Sequence, residues 1–473
     1  MKTLRHIFIL VAAIAALMST SCISDDISTS PSDTLTFSRD TVSFDTVFTG
    51  QGTPTARLLV FNRSGKGVNI SSIRFKNPQS EFSLNVDGMS GKEFHDVEIR
   101  RKDSIYVFIE CYIDATSGDE PFLREDKLEF VTNGVAQEVQ VEAYGQNVTR
   151  LRGLRIEQDT RLTADRPYVV MDSVIVEKGA LLTLEPGTRL LFHDKGEMIV
   201  RGRIEALGEP GKLVQLRGDR LDNVLPNAPY DILAGQWKGI TIASDSWENK
   251  LSGVDMRSTV YGLRLDSCAT DTRTKLTLLN SWLHNSQGHV LEANNARVDI
   301  LGSCLSDAGE AVAQLTGGIV KCIQSTFANN YLFAFSPQAI VTLLHLVPDE
   351  EDTWESPLMS ASFENCILYG MTSPLSPGDL AESDVFFRNC LIGASGKDDD
   401  NFLSCIWDED PLFYTVREDY IFNYRLKPDS PAKGKGNPAY VSPEIAYDMY
   451  GLYRLASGNP DLGAFVIAPA SEE

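Results

Sequence analysis

Several things are missing from this sequence of 473 residues, and each absence excludes something. Lys and Arg total 43 against 65 Asp and Glu, for a formal charge of −22. A surface that acidic repels phosphate backbones and anionic headgroups, which excludes nucleic-acid binding and any membrane attachment by charge. Apolar stripes at i, i+3, i+4, i+7 do not persist along the chain, which excludes a helical bundle or helical repeat. The longest apolar run, Ile7 to Met18, is 12 residues, too short to span a bilayer. Eight cysteines occur without a CxxC or a Cys/His cluster at metal spacing, so neither a zinc site nor a full disulfide framework is expected.

What is present begins with an export signal. Lys2 and Arg5 precede the apolar run, and Ser19-Thr20-Ser21-Cys22 follows it. This resembles the lipobox of bacterial lipoproteins, with Ser19 standing where an aliphatic residue is usual. The resemblance implies cleavage before Cys22, acylation of that residue, and anchoring in the lipid bilayer, each buried CH₂ contributing roughly 0.8 kcal/mol. Cys22-Ile23-Ser24-Asp25-Asp26 is similar to the acidic signal that sends lipoproteins of Bacteroidetes-type bacteria to the outside of the outer membrane. An ordinary polar linker is the alternative. Residues 23–34 read as a solvated tether.

Residues 35–148 read as a β-sandwich. Alternating segments such as Thr41–Phe48, Ala56–Phe61, Ser104–Cys111 and Gln137–Glu142 are separated by turn signals at Asn62–Gly65 and Asn133-Gly134. Phe44–Val47, Leu58–Gly65 and Leu128–Asn133 resemble motifs of the abnormal-spindle/Hydin-type immunoglobulin-like domains. That family implies a module that spaces or docks a larger one.

From about residue 150 strands shorten to three or four residues between glycine-containing corners, as in Leu181–Leu184, Arg189–Phe192 and Met198–Val200. Such strands suit a coil in which each pairs with its equivalent one turn later. Five segments align: Asn280-Ser281, Gly302-Ser303, Gln324-Ser325, Asn365-Cys366 and Asn389-Cys390, at offsets of 22, 22, 41 and 24. The first column holds residues that tolerate a left-handed corner. The second holds small side chains. The long step implies an insertion, read at residues 347–358. These features resemble the right-handed parallel β-helix family over residues 150–425, with ten or eleven rungs and a carboxy-terminal cap at 426–473. The fold class expected is therefore all-β, a sandwich followed by a solenoid.

Candidate chemistry is sparse. Gly288-His289-Val290 lacks the second glycine of the polygalacturonase histidine motif, and Asp398-Asp399-Asp400 reads as a solvated turn. Asp349 to Asp352 carries oxygen ligands without calcium-loop spacing and reads as an acidic loop. Trp237, Trp247, Tyr261 and Trp354 are aromatics able to stack on sugar faces. Trp237 is expected in the core, and Trp354 is the candidate ligand contact. Cys366 and Cys390 lie within disulfide range, although buried free thiols fit the small-residue column better. Thr34, Thr41, Thr46, Ser104 and Ser173 match the Asp-Ser/Thr-aliphatic pattern of O-glycosylation in exported Bacteroides proteins. No catalytic residue, metal or cofactor is assigned. The expected role is a surface scaffold for a polysaccharide or for a host or cell-surface protein, with a polysaccharide lyase or glycoside hydrolase as the alternative.

Overall fold

A computed structural model describes residues 26–225, 228–267, 273–334, 338–344, 346–348, 353–355, 358–378 and 384–468. Cys22, Cys268 and Asp349 to Asp352 lie outside the described residues. The described chain is all-β apart from four single-turn 3₁₀ segments, and divides into two compact units between Asn147 and Val148.

The amino-terminal unit is a β-sandwich of a five-stranded and a six-stranded sheet over one core. Alternation drives it. In Ser104–Cys111, Val107, Ile109 and Cys111 point inward and are almost fully buried. The two longest strands, Phe122–Thr132 and Val135–Gln146, form a hairpin closed by two residues, since Thr132 pairs with Val135. Asn133 and Gly134 supply the two positive φ angles (53° and 78°) that such a turn requires. Where the sequence predicts a solvated tether over 23–34, the described part from residue 26 is held to the sandwich. Ile27 bridges Gly67, Ser28 is buried, and the Asn133 side-chain amide donates to the carbonyls of Ser30 and Asp33.

The second unit is a parallel β-helix. Its strands fall into three sheets, here called X, Y and Z, of 11, 9 and 10 strands. Successive strands visit the sheets in rotation: Thr149–Leu151 in X, Leu154–Ile156 in Y, Thr160–Leu162 in Z, Tyr168–Val170 in X again. Each pairs in parallel with the strand one turn later. Parallel crossovers of this kind are right-handed almost without exception. Eleven X strands make eleven rungs, and at about 4.8 Å per rung the coil is roughly 50 Å long.

Inward side chains stack in files. Phe363, Phe387 and Phe402 are parallel at 4.6 and 4.9 Å between ring centroids, and Trp237 lies on Phe192 at 3.9 Å. Fully burying each such side chain contributes roughly 1.5–3 kcal/mol.

The corner between sheets Z and X carries the aligned column. Asn280, Gly302, Gln324, Asn365 and Asn389 all have positive φ, from 42° to 60°, and Gly253 and Ser404 continue the row. Gly302 meets a second constraint, because a Cβ there would lie 2.3 Å from Asn280 Oδ1. Beside this column the serines form a ladder: Ser303 Oγ accepts from Ser281 N at 3.1 Å, and Ser325 Oγ from Ser303 N at 3.3 Å.

Two excursions leave the coil. Residues 219–225 and 228–236 fold over the outside of sheet X, with a short hairpin and a 3₁₀ turn at Tyr230–Ile232. The insertion read as unperiodic at 347–358 contains an antiparallel hairpin, Leu346–Pro348 with Thr353–Glu355.

Residues 408–468 do not cap the end of the coil. They run back along its side as a strap, packing Tyr424, Leu426, Met449 and Phe465 against Cys304, Ala328, Ile367 and Leu391. Amides of the corner column hold the strap. Asn280 donates to Tyr447 O, Gln324 to Asp461 O, and Asn365 to Asn437 O. The buried Arg454 guanidinium, pushed down by burial to about 10 and so still charged at neutral pH, donates to the carbonyls of Ile445, Gly463 and Ala464.

Candidate functional site

The outer face of sheet X, between the first excursion and the strap, holds a polar cluster under an aromatic rim. Alternation sets which side chains face out. In Val254–Thr259 these are Asp255 and Arg257, and register places Trp282 beside Asp255 and His284 beside Arg257. One rung further, Asp307 stands at the end of Cys304–Ala308 in a left-handed conformation (φ 61°), the position Asn285 holds on the rung before (φ 59°).

Asp255 receives His284 Nε2 at 3.2 Å and Arg257 Nη2 at 3.2 Å. Arg257 Nη1 reaches Asp231 of the excursion at 3.1 Å, and Arg217 also pairs with Asp231. The Trp282 ring lies on the His284 imidazole, centroids 4.5 Å apart, and its Nε1 donates to Ser306 at 3.1 Å. Asp307 Oδ1 accepts from the strap's Tyr424 hydroxyl and from Asn330 N, while Oδ2 is buried without a hydrogen-bond partner among the described residues.

These surroundings push the two carboxyls apart. Burial would raise Asp255, but the charges of Arg257 and Arg217 and the His284 contact outweigh it and hold the group below the usual aspartate range. At Asp307 burial wins over the Tyr424 hydrogen bond and raises the group. Two carboxyls lining one cleft, with proton affinities shifted in opposite directions, are an arrangement capable of acid and base work.

The cluster floors a cavity of about 190 Å³, walled by the rings of Tyr331, Phe333, Tyr420 and Phe422. Among the described residues no group of three or more His, Cys, Asp or Glu is arranged to hold a metal ion.

The residues singled out in the sequence lie elsewhere. Trp237 is fully buried, its Nε1 donating to Arg257 O at 2.8 Å, so it supports the site only from beneath. Trp247 packs on the coil's core, and Tyr261 stacks with Arg264. His289 is buried, bound to Ala311 O and to Glu310. Asp398 caps a turn by accepting from Ser404 N and Trp407 Nε1. Trp354 belongs to the hairpin described above. Cys366 and Cys390 are buried free thiols; their Sγ–H groups donate to carbonyls two residues back, and Cys405 extends the column. Thr34 and Thr46 are exposed on the sandwich; Thr41, Ser104 and Ser173 are half-buried.

Asp231, Asp255, His284, Asp307 and Tyr424 escaped the sequence reading because they come from five separate segments. One signal was available. Trp282-Leu-His-Asn and Cys304-Leu-Ser-Asp follow aligned corners, and extending that alignment stacks His284 on Ser306, next to Asp307.

No family model and no curated protein matches the chain. Solved structures similar in part include a protein of unknown function from Porphyromonas gingivalis W83 (12% identity over 26% of this chain and 50% of that one, TM-score 0.18). A family 123 glycoside hydrolase from Clostridium perfringens aligns at 10% identity over 24% of this chain and 25% of its own (TM-score 0.17). The ASH/PapD-like domain 7 of human CEP192 aligns at 12% identity over 25% of this chain and 88% of its own (TM-score 0.18). The chain thus spans half the length of the first and a quarter of the second. Scores this low carry no argument about function.

Proposed function

We propose that the protein is an exported lipoprotein of Bacteroidetes type, anchored through acylated Cys22 at the outer membrane and displayed outward, whose β-helix binds a neutral glycan. The amino-terminal sandwich acts as the spacer expected of an abnormal-spindle/Hydin-like module. The observation that carries the binding reading is the Trp282–His284 stack beside Asp255, at the floor of a cavity walled by aromatic rings. Sugars are held by that combination, an apolar ring face with few fixed polar groups. Charge selects against acidic polymers. Asp231 and Asp255 offset the cations facing the cleft, and the chain's −22 repels a polyanion.

The test is retention of the mature, full-length protein in detergent on immobilised neutral and acidic glycans. Retention on a neutral glycan, weakened about tenfold or more by His284→Ala, is the expected result; no retention on any neutral glycan ends this reading. For the anchor, Cys22→Ser is expected to move the protein from the membrane to the soluble fraction. Hexose increments in the intact mass of the native protein would support modification at Thr34 and the related sites.

One arrangement favours a second reading, glycoside hydrolysis: Asp255 and Asp307 line the same cavity, with their proton affinities shifted in opposite directions. New reducing ends released by the native protein but not by Asp307→Asn would replace the scaffold with an enzyme.

A further inference from the structure

A second cavity, of about 340 Å³, adjoins the first, and the two share the wall made by Tyr331, Leu332 and Phe333. Sheet X lines them up. The first lies over Val254–Thr259, Trp282–Ser286 and Cys304–Ala308. The second opens at the ends of the next two strands, where Asn329 pairs with Gly370 and is followed across the gap by Met371 and Thr372. Five successive rungs are involved. At about 4.8 Å per rung their floor spans roughly 20 Å along the coil. One rung is close to the length of one pyranosyl residue in an extended polysaccharide. Together the cavities reach the volume of about 300–1,000 Å³ usual for ligand clefts.

The divider is pinned below and open above. Arg417 of the strap donates to Asn330 O and Tyr331 O, each at 3.2 Å, and Asn330 N donates to Asp307. Above, Phe333 and Met371 are 50% and 58% exposed, and the Tyr331 and Phe333 rings meet edge to face at 5.7 Å. Exposed apolar side chains on a fixed ridge suit the alternately apolar faces of a sugar chain. Asp307 lines the first cavity and not the second.

We infer that the two cavities are successive subsites of one groove, which holds an extended neutral polysaccharide lengthwise along the coil and across the Tyr331–Phe333 ridge. Chain length then sets affinity as much as sugar identity does. This rests on the glycan reading above.

Calorimetric titration of the full-length protein with cello-, manno-, xylo- and malto-oligosaccharides of two to seven residues tests it. The dissociation constant should fall with length up to about five residues and then level off. Met371→Ala, which lines only the second cavity, should remove about tenfold of the gain beyond three residues while leaving disaccharide binding unchanged. A disaccharide bound as tightly as a hexasaccharide, or an equal loss at every length in Met371→Ala, overturns the groove and leaves the single-cavity reading standing. Absence of binding at every length, and to every glycan surface, overturns both.

Discussion

The Tyr424 hydroxyl donates to Asp307 Oδ1 across 117 residues of sequence, joining the strap to the outer face of the coil at the edge of the cleft. Both side chains are buried. Tyr424→Phe leaves the ring packed against Trp282 and Phe413 and removes only the donor. The expected cost is about 0.5–1.5 kcal/mol, because the buried Oδ1 loses one of its two donors and keeps Asn330 N. Equilibrium denaturation measures it, and a change within error would show that the bond contributes nothing.

Asp307 and Asp255 should oppose each other in the pH dependence of stability. Burial raises the Asp307 carboxyl in the folded protein, so its contribution is complete below the ordinary aspartate value of 3.8 and is lost as pH rises through the raised value. Asp255 is held low, so its contribution is present above 3.8 and is lost as pH falls through the lowered value. Denaturation from pH 3 to 8 should therefore show Asp307→Asn becoming less destabilising, relative to the native protein, as pH rises from about 4. Asp255→Asn should instead lose least at the acid end. Parallel curves for the native protein and both variants would contradict the two assignments.

Asn365 donates to Gln324 Oε1 and Asn437 O and accepts from Asn437 N, all from a left-handed backbone. Asn365→Gly keeps the backbone and loses the bonds; Asn365→Ala loses both. The expected order of stability is native, then Gly, then Ala, with Ala costing about 2–4 kcal/mol. Limited proteolysis should cut the strap at 408–468 faster in both variants. Equal stability of Gly and Ala would remove the argument from backbone conformation.

The cysteines divide by position. Cys390 stands in the column that is serine at positions 281, 303 and 325, whereas Cys322 points into the apolar core. Cys390→Ser should cost less than about 1 kcal/mol, because the carbonyls that receive its Sγ–H also accept a hydroxyl. Cys322→Ser should cost more, since it buries a hydroxyl among hydrocarbon. Both thiols, and Cys366, should resist thiol reagents until the protein unfolds. Rapid labelling of the native protein would show that the coil opens.

Phe387 lies between Phe363 and Phe402 in the interior file. Phe387→Ala should cost about 3–5 kcal/mol and Phe387→Leu considerably less. Thermal unfolding distinguishes the two, and a small loss for Ala would show that the file collapses to fill the gap.

Much of the coil could be read directly from the chain. A corner that turns left-handed on every rung admits few residue types, and Asn280, Gly302, Asn365 and Asn389 display that restriction in sequence. The two-residue turn at Asn133-Gly134 is readable for the same reason. Ser404-Cys405 completes the column at a spacing of 15 residues, and that shortened rung hid it. Gly253 was hidden too, because the residue after it is Val254 rather than a small one.

Local chemistry therefore decided the sandwich, the coil and the line of its corner, since strand alternation and backbone handedness act between near neighbours or at one fixed repeat. Folding in three dimensions decided where residues 408–468 lie and which side chains share the cleft. Asp231, Asp255, His284, Asp307 and Tyr424 meet only after sheet X has its register and the strap has been bound by the amides of Asn280, Gln324 and Asn365. No short-range pattern encodes contacts between segments this far apart, such as Asp255 with His284 or Asp307 with Tyr424, because their partners are chosen by packing rather than by period.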